Sequence, residues 1–287
     1  MTYQSEISRA NPGCFLFLVD QSGSMLDGLA GAARTKCDAV ATAINRAINE
    51  LIHNCVRDEV EPRHYFDVGV IGYTTDEHNN PRIGSLLQHG SLSGRDLVSV
   101  GDLAANPLDT EVRQRDDGLG GLITVKFDIW YRNPPGELMQ GTPMCAALNY
   151  CYRILDPWCS ARSNSFPPIV IHLTDGESGD GDPEDAANGL KSLFTNDGNL
   201  LLFNCHLSES KAEPVSFPTD EGQLPDEYSR LLFRMSSLLP EKMLGLAAER
   251  NLPATAGSRG MVFNADGVAM LQLINVGTIL SSPRALR

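Results

Sequence analysis

The stretch CFLFLVDQSGS, residues 14–24, decides the fold. Cys14–Val19 is a continuous apolar run of strand length. Such a run marks a strand buried on both faces, and therefore a parallel sheet covered by helices. It ends on Asp20 and a turn carrying Ser22, Gly23 and Ser24. In a parallel α/β sheet, ligands gather at the carboxyl ends of the strands. One carboxylate and two hydroxyls thus leave the strand where a site belongs.

Outward from this stretch, strand and helix patterns alternate. From about Arg34 to Asn54, apolar residues recur at Cys37, Val40, Ala41, Ile44, Ala47, Ile48, Leu51 and Ile52, the three-and-four spacing of an amphipathic helix. Tyr65–Tyr73 reads as a strand, Met144–Leu155 as a helix and Ile169–Leu173 as a central strand. Asp182, Pro183, Glu184 and Asp185 form a helix start, with the helix running to about Thr195. Leu200–Cys205 is a strand, Asp226–Leu239 a helix, Gly260–Asn264 a last strand and Asp266–Leu280 a last helix.

This order predicts an α/β fold, a central mostly parallel sheet with helices on both faces. No linker interrupts it, so residues 1–287 are expected to form one domain with a core at about 12–280. The segment at about 76–137 is an elaboration. It is rich in glycine, and Ile123–Tyr131 alternates as a strand does, so it is expected to hold an antiparallel hairpin. Loops this long are usually functional or mobile. The turn starting near Thr75 and Asp76 is expected beside the strand-end site.

Composition narrows the function classes. The 287 residues are 42% hydrophobic and 21% charged, a globular and not a disordered balance. Lys and Arg number 23 against 36 Asp and Glu, a net charge of −13. That argues against nucleic acid and anionic membrane as partners, since both need clustered basic residues. No run reaches the roughly 18 apolar residues of a membrane span. The polar start lacks a cleavable signal pattern, so the expected location is the cytoplasm. The seven cysteines form no CxxC pair and read as reduced core thiols.

Two further loops resemble the first in chemistry. Thr174-Asp175-Gly176-Glu177 follows the strand Ile169–Leu173, and Gly141-Thr142-Pro143 precedes the Met144 helix. Asp20, Ser22, Ser24, Thr142 and Asp175 are hard oxygen donors that suit Mg²⁺, Mn²⁺ or Ca²⁺. Hydroxyls are neutral, so an ion held largely by Ser and Thr keeps an appetite for an external anion. Glu177 reads as an acceptor behind the metal, a ligand, or a solvated loop carboxylate. Asp116-Asp117, beside Gly118 and Gly120-Gly121, reads as a turn or a second cation site. His172 reads as a core histidine. The six histidines show no metal or triad spacing, and there is no phosphate-binding GxxxxGK[ST] loop.

Asp20-x-Ser22-Gly-Ser24, then Thr142, then Asp175-Gly176 resemble the metal-ion-dependent adhesion site of von Willebrand factor type A (vWA) domains, over about Pro12 to Leu280. The resemblance implies a Rossmann-like sheet with one antiparallel edge strand. It also implies that Asp20, Ser22, Ser24, Thr142 and Asp175 hold Mg²⁺ or Mn²⁺, and that a protein partner's Asp or Glu completes the site. Gly141-Thr142-Pro143-Met144, Phe166-Pro167-Pro168-Ile169 and Leu173-Thr174-Asp175-Gly176 are similar to bacterial cytosolic members of tellurite-resistance type. Their genes accompany a Ser/Thr kinase and a metal-dependent phosphatase. The expected function is metal-dependent protein–protein interaction in bacterial signalling or stress response. The alternative is a hydrolase or phosphatase using the same Mg²⁺ site, for which the sequence offers no evident general base.

Overall fold

A computed structural model describes residues 3–30, 32–56, 62–116, 121–209 and 213–278. In chain order the strands are β1 Gly13–Asp20, β2 Phe66–Thr75, β3 Pro81–Ser85, β4 Val98–Ser99, β5 Asp109–Asp116, β6 Leu122–Ile129, β7 Ile169–Thr174, β8 Phe194–Thr195, β9 Gly198–Asn199, β10 Leu201–Leu207, β11 Val215–Ser216 and β12 Met261–Ala265. The helices are α1 Lys36–Cys55, α2 Val100–Ala105, α3 Met144–Ala161, α4 Glu184–Lys191, α5 Glu227–Met235, α6 Glu241–Glu249 and α7 Gly267–Gly277.

The main sheet runs β11-β12-β10-β7-β1-β2-β3, with β4 also paired to β2. The inner strands are parallel, and β1 lies between β2 and β7. The antiparallel edge strand is β3, and the short β11 is antiparallel to β12 at the other edge. Every residue of β1 is buried, and its side chains divide between two cores. Phe15, Phe17 and Val19 pack with α1, α6 and α7, whereas Cys14, Leu16 and Leu18 pack with α3, α4 and α5. Period-2 alternation thus serves both layers. Each fully buried Leu or Phe contributes about 2 kcal/mol through lost contact with water. All seven cysteines are free thiols, and all but Cys145 are buried.

Local chemistry sets the helix ends. Thr35 Oγ1 accepts from Asp38 N at the start of α1, and Asp266 Oδ1 accepts from Val268 N and Ala269 N at the start of α7. Two expected helices are shorter. The one starting at Asp182 ends at Lys191, because the chain turns into the small β8–β9 hairpin. The one starting at Asp226 ends at Met235; Ser236 turns its hydroxyl back to Leu232 O, and Pro240 precedes a separate α6. The last residues of the expected terminal helix, 279–280, lie outside the described residues.

The elaboration holds β3, β4, α2 and the antiparallel β5–β6 hairpin. Asn45, in the middle of α1, fixes the end of that hairpin. Its Oδ1 accepts from Trp130 N at 2.8 Å and Tyr131 N at 3.0 Å, and its Nδ2 donates to Tyr131 O at 2.8 Å.

His172, on β7, is fully buried in a satisfied polar chain. Asn204 Nδ2 donates to Ser236 Oγ at 2.9 Å, which leaves Asn204 Oδ1 to accept from His172 Nδ1 at 2.9 Å. His172 Nε2 then accepts from the Tyr73 hydroxyl at 2.7 Å. Burial lowers this imidazole from 6.5 to about 4. The unfolded chain therefore takes up a proton that the native chain refuses. The stability due to the neutral ring is complete above pH 6.5 and is lost as pH falls toward 4. Between pH 7 and 5 the loss is about 2 kcal/mol. Urea unfolding of wild type and His172→Gln should show the variant weaker at pH 7 but with a shallower acid slope. Equal slopes would contradict this.

Candidate metal centre

Four segments converge at the carboxyl ends of the central strands, and backbone hydrogen bonds fasten them together. Gly23 N donates to Gln140 O at 2.7 Å, joining the Ser22–Ser24 turn to the Thr142 loop. Gln140 N and Gly141 N donate to the hydroxyls of Thr74 and Thr75 at the end of β2, at 2.8 and 3.0 Å. Gly141 is required by this approach, since a Cβ there would lie 2.9 Å from Thr75 Oγ1. Gly179 N donates to Thr142 O at 2.7 Å, closing the ring with the loop after β7.

Within this ring four of the expected residues, Asp20, Ser22, Ser24 and Asp175, meet through hydrogen bonds. Ser22 Oγ and Ser24 Oγ are 3.1 Å apart, and Ser24 Oγ donates to Asp175 Oδ1 at 2.8 Å. Asp20 sits beneath them and is fully buried. Its Oδ1 accepts from Ser22 N at 2.8 Å and its Oδ2 from Thr174 Oγ1 at 2.6 Å. Burial outweighs these bonds and pushes its carboxyl from 3.8 up to about 6. Thr142 Oγ1 lies beside Gly176, where an added Cβ would sit 3.8 Å from it.

Thr142 does not cap α3, as its position before the helix allows. Asp180 takes that role, accepting from Cys145 N and Ala146 N at 2.9 Å each. The Thr142 hydroxyl makes no hydrogen bond among the described residues. A half-buried hydroxyl without a partner among the described residues, next to the loop that carries Asp175, adds a neutral oxygen to the set of Asp20, Ser22, Ser24 and Asp175, a chemistry that fits a hard divalent cation. Among the described residues no three His, Cys, Asp or Glu side chains converge as a metal-binding group. This set has only two carboxylates and relies on hydroxyls for the rest.

The sequence reading did not anticipate three neighbours. Lys36, only 5% exposed, reaches in from the first position of α1. Its Nζ donates to Asp175 Oδ2 at 2.7 Å and to Glu209 Oε1 at 3.2 Å. A signal was present: a basic residue in the first turn of a helix opposes the helix dipole and needs a compensating anion. Tyr228, on α5, donates its hydroxyl to Gly176 O and so holds the Asp175 loop. Asp180 is the third. Neither Asp180 nor Tyr228 carries a spacing that marks it.

The rim matches part of the expectation for the elaboration. A cavity of about 340 Å³ beside Gln140 is lined by Asp76, Glu77, His78, Arg82 and Glu137. The β2–β3 turn thus lies against Gln140, two residues before Thr142, whereas the β5–β6 hairpin packs along α1. Glu177 is exposed and lines a second cavity with Asp182, Glu227 and Tyr228. The Asp116 and Asp117 side chains and Gly118–Gly120 lie outside the described residues, and with them the second cation site considered there.

No protein-family model matches the sequence, and no curated protein is similar to it. Among solved structures, the pilus adhesin SpaC from Lactobacillus rhamnosus GG is similar at TM-score 0.42 and 13% identity, over 70% of this chain and 25% of that one. The PilB minor pilin from Streptococcus sanguinis is similar at TM-score 0.33 and 14% identity, over 60% of this chain and 31% of that one. The chain thus spans about a quarter and a third of those two proteins. Likeness at this level carries no argument about function. Among the described residues, no helix is long and apolar enough to cross a membrane.

Proposed function

We propose that this chain is a metal-dependent docking module of vWA type. Asp20, Ser22, Ser24, Thr142 and Asp175 hold a divalent cation, Mg²⁺ before Mn²⁺ or Ca²⁺, and a partner protein adds an Asp or Glu. When bound, the cation supplies an electrophilic centre for that carboxylate. The residues of the chain do the rest. Asp20 anchors the Ser22–Ser24 turn through its bond from Ser22 N. Gly23 and Gly179 tie Thr142 between the two strand-end loops. The expected setting is bacterial cytoplasmic signalling or stress response, with a Ser/Thr kinase or phosphatase system as the partner class.

The observation that carries this reading is the Thr142 hydroxyl, without a hydrogen bond among the described residues, next to the loop of Asp175, which is itself joined to Ser24 and through it to Ser22 and Asp20. Affinity capture from native lysate tests it. A partner retained by wild type in Mg²⁺, and lost in EDTA or with Asp20→Ala, is the expected result. The same proteins held under all three conditions would contradict the reading.

A further inference from the structure

Lys36 is a buried cation inside the candidate centre. It rests on Asp175 at 2.7 Å, its side chain is 6% exposed and that of Asp175 is fully buried. Glu209, more than half exposed, touches the same Nζ from outside at 3.2 Å, and Ser24 O lies at 3.4 Å. Both Asp175 oxygens are thus engaged by donors of the chain itself, Ser24 Oγ on one and Lys36 Nζ on the other. A buried lysine is costly unless its charge is matched, so this placement needs a reason.

We infer that Lys36 is the residue that sets the specificity of the centre for an external carboxylate. The inference rests on the docking reading above. Two buried carboxylates alone would neutralise a divalent cation and leave little attraction for a third. Lys36 cancels one of those charges within direct contact distance. The buried groups of the loaded centre then keep a net positive charge, which Glu209 offsets only from the solvent side and which an incoming anion satisfies. The same ammonium repels the metal, so the arrangement gives up cation affinity and gains carboxylate affinity. It also fixes Asp175 Oδ2 on an ammonium of the chain itself.

The two affinities should therefore move in opposite directions when Lys36 is neutralised. Calorimetry would measure Mg²⁺ binding to the full chain, then binding of glutarate, as a plain carboxylate probe, to the Mg²⁺-saturated protein. Lys36→Met should bind Mg²⁺ about tenfold more tightly and glutarate about tenfold more weakly, as loss of one nearby charge at intermediate dielectric implies. Lys36→Arg should stay close to wild type in both. Glu209→Gln, at an exposed position that does not threaten folding, should shift both by a smaller factor in the reverse sense.

Unchanged affinities in Lys36→Met and Glu209→Gln would overturn the inference. So would a joint weakening of both ligands, since a merely structural lysine predicts that. If Lys36→Met does not fold, Glu209→Gln decides by the sign of its two shifts. Wild type that takes up no Mg²⁺ would instead overturn the docking reading, and this inference with it.

Discussion

Asp20→Asn is expected to make the metal-free protein more stable at pH 7 while removing its response to Mg²⁺. The wild-type carboxylate is fully buried and holds its negative charge with two hydrogen bonds, from Ser22 N and Thr174 Oγ1. Asn keeps the acceptor for Ser22 N, and its amide donates to the Thr174 hydroxyl, which rotates. The variant thus removes a buried charge without orphaning a partner. The native carboxyl sits at about 6 against 3.8 in the unfolded chain. Native protein therefore holds the proton more tightly between those values. Metal-free wild type loses stability as pH rises through this window and stays at the lower level above it. The gain on removing the charge at pH 7 is about 3 kcal/mol, read as a shift in urea midpoint in EDTA. The advantage of the variant should shrink toward pH 4. A variant less stable than wild type at pH 7, with the same pH trend, would contradict the argument. The sign matters because a group kept only for folding would not be charged there.

Asn45→Leu should be the most damaging single change away from the site. The side chains share a branched shape with the same number of heavy atoms, so no cavity opens. What is lost is three hydrogen bonds to backbone groups of Trp130 and Tyr131, both buried. Two N–H groups and one carbonyl would be left without partners, at 1–3 kcal/mol each, or about 4 kcal/mol in all. The Trp130 indole, which donates to Leu103 O, would lose its anchorage to α1 as well. Urea unfolding should register the full loss, and a cost below about 1 kcal/mol would refute the role assigned to Asn45.

The parallel layers were legible because burial on two faces leaves an unmistakable mark: the CFLFLV run of β1 is apolar throughout, and the IVIHL run of β7 is apolar but for His172. The strand-end donors were legible for the same reason, since Asp20 and Asp175 directly follow such runs. Other parts leave no mark of this kind. The first strand of the exposed hairpin, DTEVRQRD, is mostly polar, and only its partner strand alternates. The helix expected over Asp226–Leu239 stops at Met235, and α6 at Glu241–Glu249 was not anticipated, because no long apolar stripe marks so short a helix. Asn45 falls on the apolar face of α1, four residues after Ala41 and three before Ile48, a polar residue where the stripe calls for an apolar one. Its meaning depends on Trp130 and Tyr131, far away in sequence. Lys36 is similar, since its partners Asp175 and Glu209 come from the segments that follow β7 and β10.

The central claim is that the strand-end donors bind a divalent cation through the Thr142 hydroxyl. Thr142→Ala tests it cleanly, because that hydroxyl bonds nothing among the described residues, and its loss should leave the melting temperature in EDTA unchanged. The decisive measurement is a calorimetric titration of Mg²⁺ into both proteins. One saturable site in wild type, weakened at least about tenfold in Thr142→Ala, is the predicted result, the loss of one charge-assisted contact being worth roughly 1.5–3 kcal/mol. Superimposable isotherms, or no uptake by wild type, would contradict the account.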